Sequence, residues 1–495
     1  VKTLPLLKKI DVAADAVFLY ERLQSGPYSF FLDTGMKSPG LGHHSFVGAD
    51  PFLLFETKDD LITITSNGRR QNITGSPLKE LKRLLAEYQM PPVDTGLPFN
   101  GGAVGFFSYD LGRQIEVIPD RSADDLELPD CQLGFYDVLA AVNHLTGEVF
   151  VVSTGLPEKD PELAFRRAEK RLAETEKLLC GPESQKDARP APAGIATPGR
   201  IFSYPERQEI SLPQSHFTQE SYCSAVQKAI DYIASGDIFQ VNLSQRFSIR
   251  QTTDSWKLYK KLREINPAPF AAFLSFADVE VISASPERFL KVTGKQVETR
   301  PIKGTRPRGK TKAEDALMRR ELWESIKDRA ELVMIVDMER NDLGRVCKIG
   351  SVKVPELYRL EEYATVFHLV STVVGELPED KTTMDLLEAA FPGGSISGAP
   401  KIRSMEIIEE LEPVRRGIYT GSIGYIGFDG DADLNIVIRT IIARHGRFYF
   451  QVGGGITADS NPYAEYIETL DKARALMKAL GLEEKEEYSW SVSSR

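Results

Sequence analysis

The sequence predicts an α+β protein whose strands pair mainly antiparallel, and three observations carry that expectation. Short apolar runs bounded by turn residues recur early in the chain, among them Phe30-Phe31-Leu32, Leu61 to Thr65 and Val138 to Val142. The hydrophobic period then switches abruptly. Tyr222, Val226, Ile230 and Ile233 recur at helical spacing up to Gly236, and Phe239-Gln240-Val241-Asn242-Leu243 alternates as a strand does. Finally, Pro462 to Leu480 carries Tyr466, Ile467, Leu470, Ala473, Met477 and Leu480 on one face, an amphipathic helix laid on a core.

Taken in order, the first lobe (residues 1–180) mixes strand runs with a helical pattern at Leu78 to Tyr88. Its segment Gly101-Gly102-Ala103-Val104-Gly105 lacks the spacing of a dinucleotide fingerprint, so close backbone packing is the expected reason for its glycines. A charged helix from Pro161 to Leu179 ends at Gly181, and the Pro/Gly/Ala-rich stretch 181–214 is expected to be a linker. The second lobe, 215–482, opens with the helix Thr218 to Ser235. There follows a strand from Ile238 to Ile249, expected to be half-buried with Gln240 and Asn242 opposite Phe239, Val241 and Leu243. Apolar runs at Phe270 to Phe276 and Val279 to Ala284 lead into Ser285-Pro286-Glu287, and helical patterns return from Lys312 through Arg340. Gly393 to Ala399 precedes a helix at Pro400 to Leu411, and glycines and hydroxyls there would suit an anion. Strands are expected at Ser422 to Phe428, Leu434 to Ala443 and Arg447 to Val452, the last running into Gly453-Gly454-Gly455. Residues 483–495 form a polar tail, expected to fray.

Composition narrows the class. With 42% hydrophobic and 27% charged residues over 495 positions, the chain resembles ordinary globular proteins and can bury a large core. A formal charge of -10 disfavours nucleic-acid binding, and no stretch is apolar enough for a membrane span. Cys131, Cys180, Cys223 and Cys347 lie far apart, so neither a zinc site nor a disulfide framework is expected; a reducing cytoplasm fits, as does the lack of a signal-peptide pattern in Val1 to Tyr20.

Three features could carry chemistry. Thr299 to Arg308 sets Lys303 among Arg300, Arg306 and Arg308 between Pro301 and Gly304. Like charges in a tight turn would lower the lysine pKa toward a usable nucleophile, though a solvated basic loop has the same composition. Asp328 with Glu331 and Glu465 with Glu468 stand at i, i+3 spacing, so each pair shares a helix face and the four could hold magnesium or simply face solvent. Glu287 lies at a strand end and His368 in the apolar run Val366 to Val370, positions equally open to a surface turn and a core histidine.

Motifs decide between these readings. Gly236-Asp237-Ile238-Phe239-Gln240-Val241-Asn242-Leu243, Ser285-Pro286-Glu287, Asp337-Met338-Glu339-Arg340-Asn341-Asp342 and Gly421-Ser422-Ile423-Gly424-Tyr425 closely resemble the chorismate-utilising enzymes, across nearly all of residues 215–480. The first lobe matches more loosely, through Gly101 to Gly105 and Tyr109-Asp110. The resemblance implies an antiparallel β-sandwich core flanked by helices in two interlocked lobes, with chorismate as substrate and Mg2+ as cofactor. It implies Glu331, Glu465, Glu468 and Asp328 as metal ligands, Glu287 as general acid and His368 as an active-site histidine. Arg439 would clamp the enolpyruvyl carboxylate, and Tyr419, Ser395, Lys472 and the amides of Gly453, Gly454 and Gly455 would supply further substrate contacts. Gln240 stands where water-adding relatives place a lysine base. Lys303 stands where anthranilate-forming relatives usually carry alanine and aminodeoxychorismate-forming ones a lysine, so the resemblance favours the 4-amino product. It also implies a partner glutamine amidotransferase, and a possible tryptophan pocket near Thr34, where Leu32-Asp33-Thr34-Gly35 replaces the feedback-sensitive Leu-Glu-Ser. Anthranilate synthase component I and a non-catalytic amino-acid-binding subunit are the alternatives.

Overall fold

A computed structural model describes residues 3–24, 26–35, 42–181, 212–363 and 366–482; residues 182–211 of the expected linker and the tail 483–495 lie outside them. The described residues form two antiparallel sheets of twelve strands each, stacked as a sandwich with helices on both outer faces. Both lobes contribute to both sheets. In the first sheet Ser29–Asp33 pairs with Phe270–Ser275, and in the second Gly102–Phe107 pairs with Ser422–Gly427. The lobes are therefore interlocked through continuous backbone hydrogen bonds rather than docked side by side.

Alternation distributes the core. Phe30 faces the sandwich interior with Phe46, Phe106, Leu274, Val281 and Tyr425, whereas its neighbour Phe31 faces the helices with Leu19, Trp256, Tyr259 and Leu476. Because helices cover the outer faces, many strands are buried on both sides and appear as unbroken apolar runs. A fully buried phenylalanine such as Phe31 or Phe106 contributes about 1.5–3 kcal/mol by leaving water. The close packing expected of the glycine-rich segment is real: a Cβ on Gly105 would lie 2.0 Å from the Gln132 carbonyl oxygen of the adjacent strand.

Several expectations change. The helical patterns expected from Lys312 through Arg340 are two helices, Lys312–Glu324 and Ile326–Gly344, divided at Ser325, which caps the second by accepting from the Asp328 amide at 3.2 Å. Thr299 to Arg308 is not a turn but the end of one strand, Gln296–Arg300, and the whole of another, Ile302–Pro307, because both pair with Val366–Glu376. The strand expected to be half-buried, Gln240–Arg250, buries its polar residues as well, Gln240, Ser244, Gln245 and Arg246 among them, because both of its faces are covered. Phe239 precedes the strand and is 72% exposed, so it does not join Val241 and Leu243 in the core. Gly393 to Ala399 forms a 3-10 turn and a two-residue strand on Gln240–Arg250, and the Ser397 hydroxyl is already committed to the Gly393 carbonyl.

The most consequential change concerns Leu434 to Ala443. Ala432–Asn435 belongs to the second sheet and Thr440–Arg444 to the first, so the chain crosses between sheets at Ile436 to Arg439. Another crossing lies at Pro286-Glu287, between Glu280–Ser285 of the first sheet and Arg288–Thr293 of the second. Residues at such crossings leave the regular ladders, and these two include Glu287 and Arg439.

Candidate active site

Lys303 lies on the strand Ile302–Pro307, where pairing with Val366–Glu376 slips between Lys303 and Thr305. Gly304 sits in that bulge at φ +79, a conformation that side chains other than glycine rarely adopt, and the bulge re-aims the lysine. Its Nζ donates to the Ser395 carbonyl at 3.1 Å. Burial lowers the Lys303 pKa below that of an ordinary amine, opposed by Glu287 and Glu331 and reinforced by Lys472.

The three arginines expected to lower it do not. Arg300 pairs with Glu361, Arg306 with Asp328 at 3.0 Å and Arg308 with Asp315 at 2.6 Å, so each charge is neutralised by a carboxylate from another element. Desolvation, with Lys472 from the last helix, replaces them as the cause.

Glu287 is buried, with 5% of its surface exposed. Burial raises its pKa against the Ser395 hydroxyl, Lys303 and the Ile302 amide, which favour the carboxylate. Ser395 thus touches both groups, through its hydroxyl to Glu287 and through its carbonyl to Lys303, and Asn242 Nδ2 holds the same carbonyl at 3.0 Å. His368 faces Thr305 across the ladder and shares a hydrogen bond with its hydroxyl at Nδ1, 2.9 Å. Burial, with Arg439 adding to it, lowers the imidazole pKa to about 4, so the ring is neutral at pH 7.

Arg439 adopts φ 54, a strained conformation for a residue other than glycine. One guanidinium nitrogen donates to the Lys472 carbonyl, and among the described residues no carboxylate forms an ion pair with it. A desolvated cation without a counter-ion is poised for an anionic ligand. Gln240 is fully buried, and among the described residues neither polar atom of its side-chain amide has a hydrogen-bond partner; a Cβ on Gly455 would lie 2.0 Å from its Nε2. An unpaired buried amide beside a backbone kept bare by glycine marks a place where a polar molecule fits. Lys472 donates to the Gly453 carbonyl at 2.8 Å and pairs with Glu468 at 2.7 Å, and Tyr419 is buried with its pKa raised by that burial to about 12.

The four acidic residues divide. Asp328 is held by Arg306, whereas Glu465 and Glu468 flank Gly454, their oxygens 3.2 and 3.4 Å from where its Cβ would be. Burial raises the pKa of Glu331 and of Glu465, and Glu468 adds to both shifts, so Glu468 lies within electrostatic reach of each. Among the described residues no three metal-ligating side chains already converge as a metal cluster. Glu331 lies on Ile326–Gly344 and Glu465 and Glu468 on Pro462–Ala479, and carboxylate oxygens are the ligand type that magnesium takes together with water.

Residues 50–478 match the chorismate binding enzyme family. The chain belongs to that family. Among chorismate binding enzymes it is similar to aminodeoxychorismate synthase component 1 of Bacillus subtilis, 40% identical over 487 residues, 97% of this chain and 98% of that one. It is equally similar to anthranilate synthase component 1 of Acetivibrio thermocellus, 39% identical over 475 residues, 95% of this chain and 94% of that one. The fold matches the crystal structure of anthranilate synthase component I from Streptococcus pneumoniae with TM-score 0.73 and 33% identity, covering 87% of this chain and 91% of that one. The expected family and the expected α+β sandwich are therefore both found.

Sequence reasoning missed Arg416. Buried beneath the site, it pairs with Glu412 at 2.7 Å, donates to the Asn242 and Ile396 carbonyls and stacks 4.8 Å from the Tyr109 ring centre, joining four segments around the pocket. Its i, i+4 spacing from Glu412 was visible, but only burial distinguishes this pair from ordinary surface pairs. Thr34 lies apart from this site, buried, with its amide bonded to Ser45 Oγ at 3.1 Å; Asp33 beside it is occupied by Arg263, Tyr259 and Ser45.

Proposed function

We propose that this chain is the chorismate-aminating component of an aminodeoxychorismate synthase, replacing the C4 hydroxyl of chorismate by ammonia to form 4-amino-4-deoxychorismate, the precursor of para-aminobenzoate and folate. The observation that carries this reading is the pairing of Lys303 with Glu287 through Ser395: a desolvated amine and a desolvated carboxyl tethered to one residue. The amine is placed to attack and the carboxyl to protonate a leaving hydroxyl.

In this mechanism Arg439 binds the enolpyruvyl carboxylate, while Lys472, Tyr419, the amide of Gln240 and the backbone of Gly453 to Gly455 orient the ring. Magnesium, held by Glu331, Glu465 and Glu468, would act as a Lewis acid on the ring carboxylate. Lys303 Nζ forms a bond to C2, the ring double bond shifts, and the C4–O bond breaks as Glu287 gives its proton to the departing oxygen, releasing water. Ammonia then bonds to C4, the electrons shift back and the C2–N bond to Lys303 breaks, so one difficult substitution becomes two. His368, neutral, holds the Lys303 strand through Thr305 and takes no proton at pH 7.

The relatives' names favour anthranilate synthase component 1 as the second reading, at 39% against 40% identity. Incubating the chain with chorismate, magnesium and ammonia and separating the products decides between them: 4-amino-4-deoxychorismate supports the proposal, and anthranilate alone overturns it.

Two further expectations concern the metal and the nitrogen source. Glu465→Gln or Glu468→Gln removes one charge from the proposed magnesium site, and the half-saturating magnesium concentration should rise by about tenfold or more. Unchanged magnesium dependence of both variants would return these residues to the role of packing partners. The name component 1 carried by the relatives fits a second, glutaminase component that supplies ammonia. Burial raises the pKa of all four cysteines here, so none is poised as a thiolate. The chain alone should turn over chorismate with ammonium but not with glutamine, and glutamine-dependent turnover without a partner would contradict this.

A further inference from the structure

The motif Asp337-Met338-Glu339-Arg340-Asn341-Asp342 lies on the helix Ile326–Gly344, and the chemistry described above uses none of it. Its exposed members are simple surface: Asp337 and Arg340 pair with each other at 2.8 Å. Its buried members, Glu339 and Asp342, are 3% and 4% exposed and stand at i, i+3 spacing on one face. One lysine serves both. Lys401 donates to Asp342 at 2.6 Å and to the Ala390 carbonyl at 2.9 Å, and among the described residues no cation forms an ion pair with Glu339.

Glu339 is instead wedged behind the active site. On one side its Oε2 accepts from the Thr299 hydroxyl at 3.1 Å, and Thr299 lies on Gln296–Arg300, the strand that continues into Pro301, Ile302 and Lys303. On the other side its Oε1 lies 3.8 Å from where a Cβ on Gly394 would be, and the preceding Met338 packs on the same glycine, which leads into Ser395. The groups that bear on its carboxyl are Asp342 on its own helix, Lys401 on the helix Lys401–Leu411, Thr299 on the strand, and Glu287 at the sheet crossing.

We propose that Glu339 is a positioning residue: its carboxyl braces the strand that leads into Lys303 against the turn that carries Ser395, and so fixes the two Ser395 contacts through which Glu287 and Lys303 are held. The inference rests on the function proposed above only in the roles given to those two residues. Burial, with Asp342 adding to it, raises the Glu339 pKa to about 8, so at pH 7 its carboxyl is mostly neutral. A neutral carboxyl suits the brace, because it accepts from Thr299 without placing a second buried negative charge behind Glu287. An amide of the same shape can do the same; a methyl group cannot.

Two variants and two measurements test the brace. Glu339→Gln keeps a neutral hydrogen-bonding group of equal size and should retain kcat within about twofold, whereas Glu339→Ala should lower kcat by about tenfold or more with the KM for chorismate changed less than about threefold. Thr299→Val, which removes only the partner hydroxyl, should lower kcat in the same way to a smaller extent, and it stands in for Glu339→Ala should that variant not fold. Independently of any turnover, acetylation of Lys303 by acetic anhydride at pH 7, quantified on its peptide by mass spectrometry, should change by about threefold or more in Glu339→Ala and match the unaltered chain in Glu339→Gln. Wild-type kcat and wild-type Lys303 labelling in both Glu339→Ala and Thr299→Val would overturn the brace, as would a Glu339→Gln variant as impaired as Glu339→Ala. If labelling shifts as expected while the chain aminates no chorismate, the brace stands and the proposed function falls.

Discussion

Lys303→Ala is expected to abolish formation of 4-amino-4-deoxychorismate, by at least about 10³-fold, while leaving the fold intact. The side chain projects from a bulge held by Gly304 and the pairing of its strand, so its removal leaves the backbone ladder in place. Its contribution is chemical. An ordinary lysine is neutral in only about one molecule in ~10³ at pH 7, and each unit by which burial lowers its pKa recovers about tenfold of the reactive form, or about 1.4 kcal/mol. Alanine also uncovers the C2 side of the substrate, so residual amination should shift to C2 and give anthranilate or its 2-amino precursor. Mass spectrometry of the unaltered chain, quenched with chorismate in the absence of ammonia, should show an adduct on the Lys303 peptide. If no adduct forms and Lys303→Ala makes the 4-amino product at the normal rate, Lys303 is not the nucleophile.

The second large effect is expected at Glu287. Glu287→Gln keeps the shape of the side chain but has no proton to give, and turnover should fall by about 10²–10⁴-fold. The pH profile separates this loss from a packing defect. Burial raises the Glu287 pKa, and a step that needs its protonated form proceeds below that pKa and fails as pH rises through it. Lys303, with its pKa lowered, must lose its proton, so the step also fails as pH falls. The unaltered chain should therefore show a bell-shaped profile whose two apparent pKa values belong to the coupled pair. In Glu287→Gln the alkaline fall should disappear, and the remaining activity should rise with pH until the lysine is neutral, then level off. An unchanged bell in that variant would assign the proton donor elsewhere.

Much of this was legible in the sequence because it is local. The helix expected at Thr218 to Ser235 is Gln219–Ala234, and that expected at Pro462 to Leu480 is Pro462–Ala479, since 3.6-residue periodicity and their caps are set by neighbouring residues. Short motifs were likewise enough to indicate the family and its α+β sandwich, because each records a local arrangement of backbone and side chain. The helix Ser255–Ile265 escaped, although Asp254 caps it and Trp256, Tyr259 and Leu262 share a buried face; among neighbouring strand patterns its short period did not stand out.

The tertiary structure alone decided which charges meet. Along the chain Lys303 is surrounded by Arg300, Arg306 and Arg308, but the fold brings each arginine a carboxylate and brings the lysine Glu287, Glu331 and Lys472 from three distant segments. It decided the path of Leu434 to Ala443, one continuous apolar pattern divided between two sheets so that Arg439 falls at the crossing without an acidic partner among the described residues. It also made Glu339 a buried carboxyl, although its spacing matches any charged helix face. Periodicity and capping depend on residues a few positions apart, so the sequence by itself determined the elements. Desolvation and ion pairing depend on what other segments bring close in space, through pairings such as Ser29–Asp33 with Phe270–Ser275, and that only the folded chain decides.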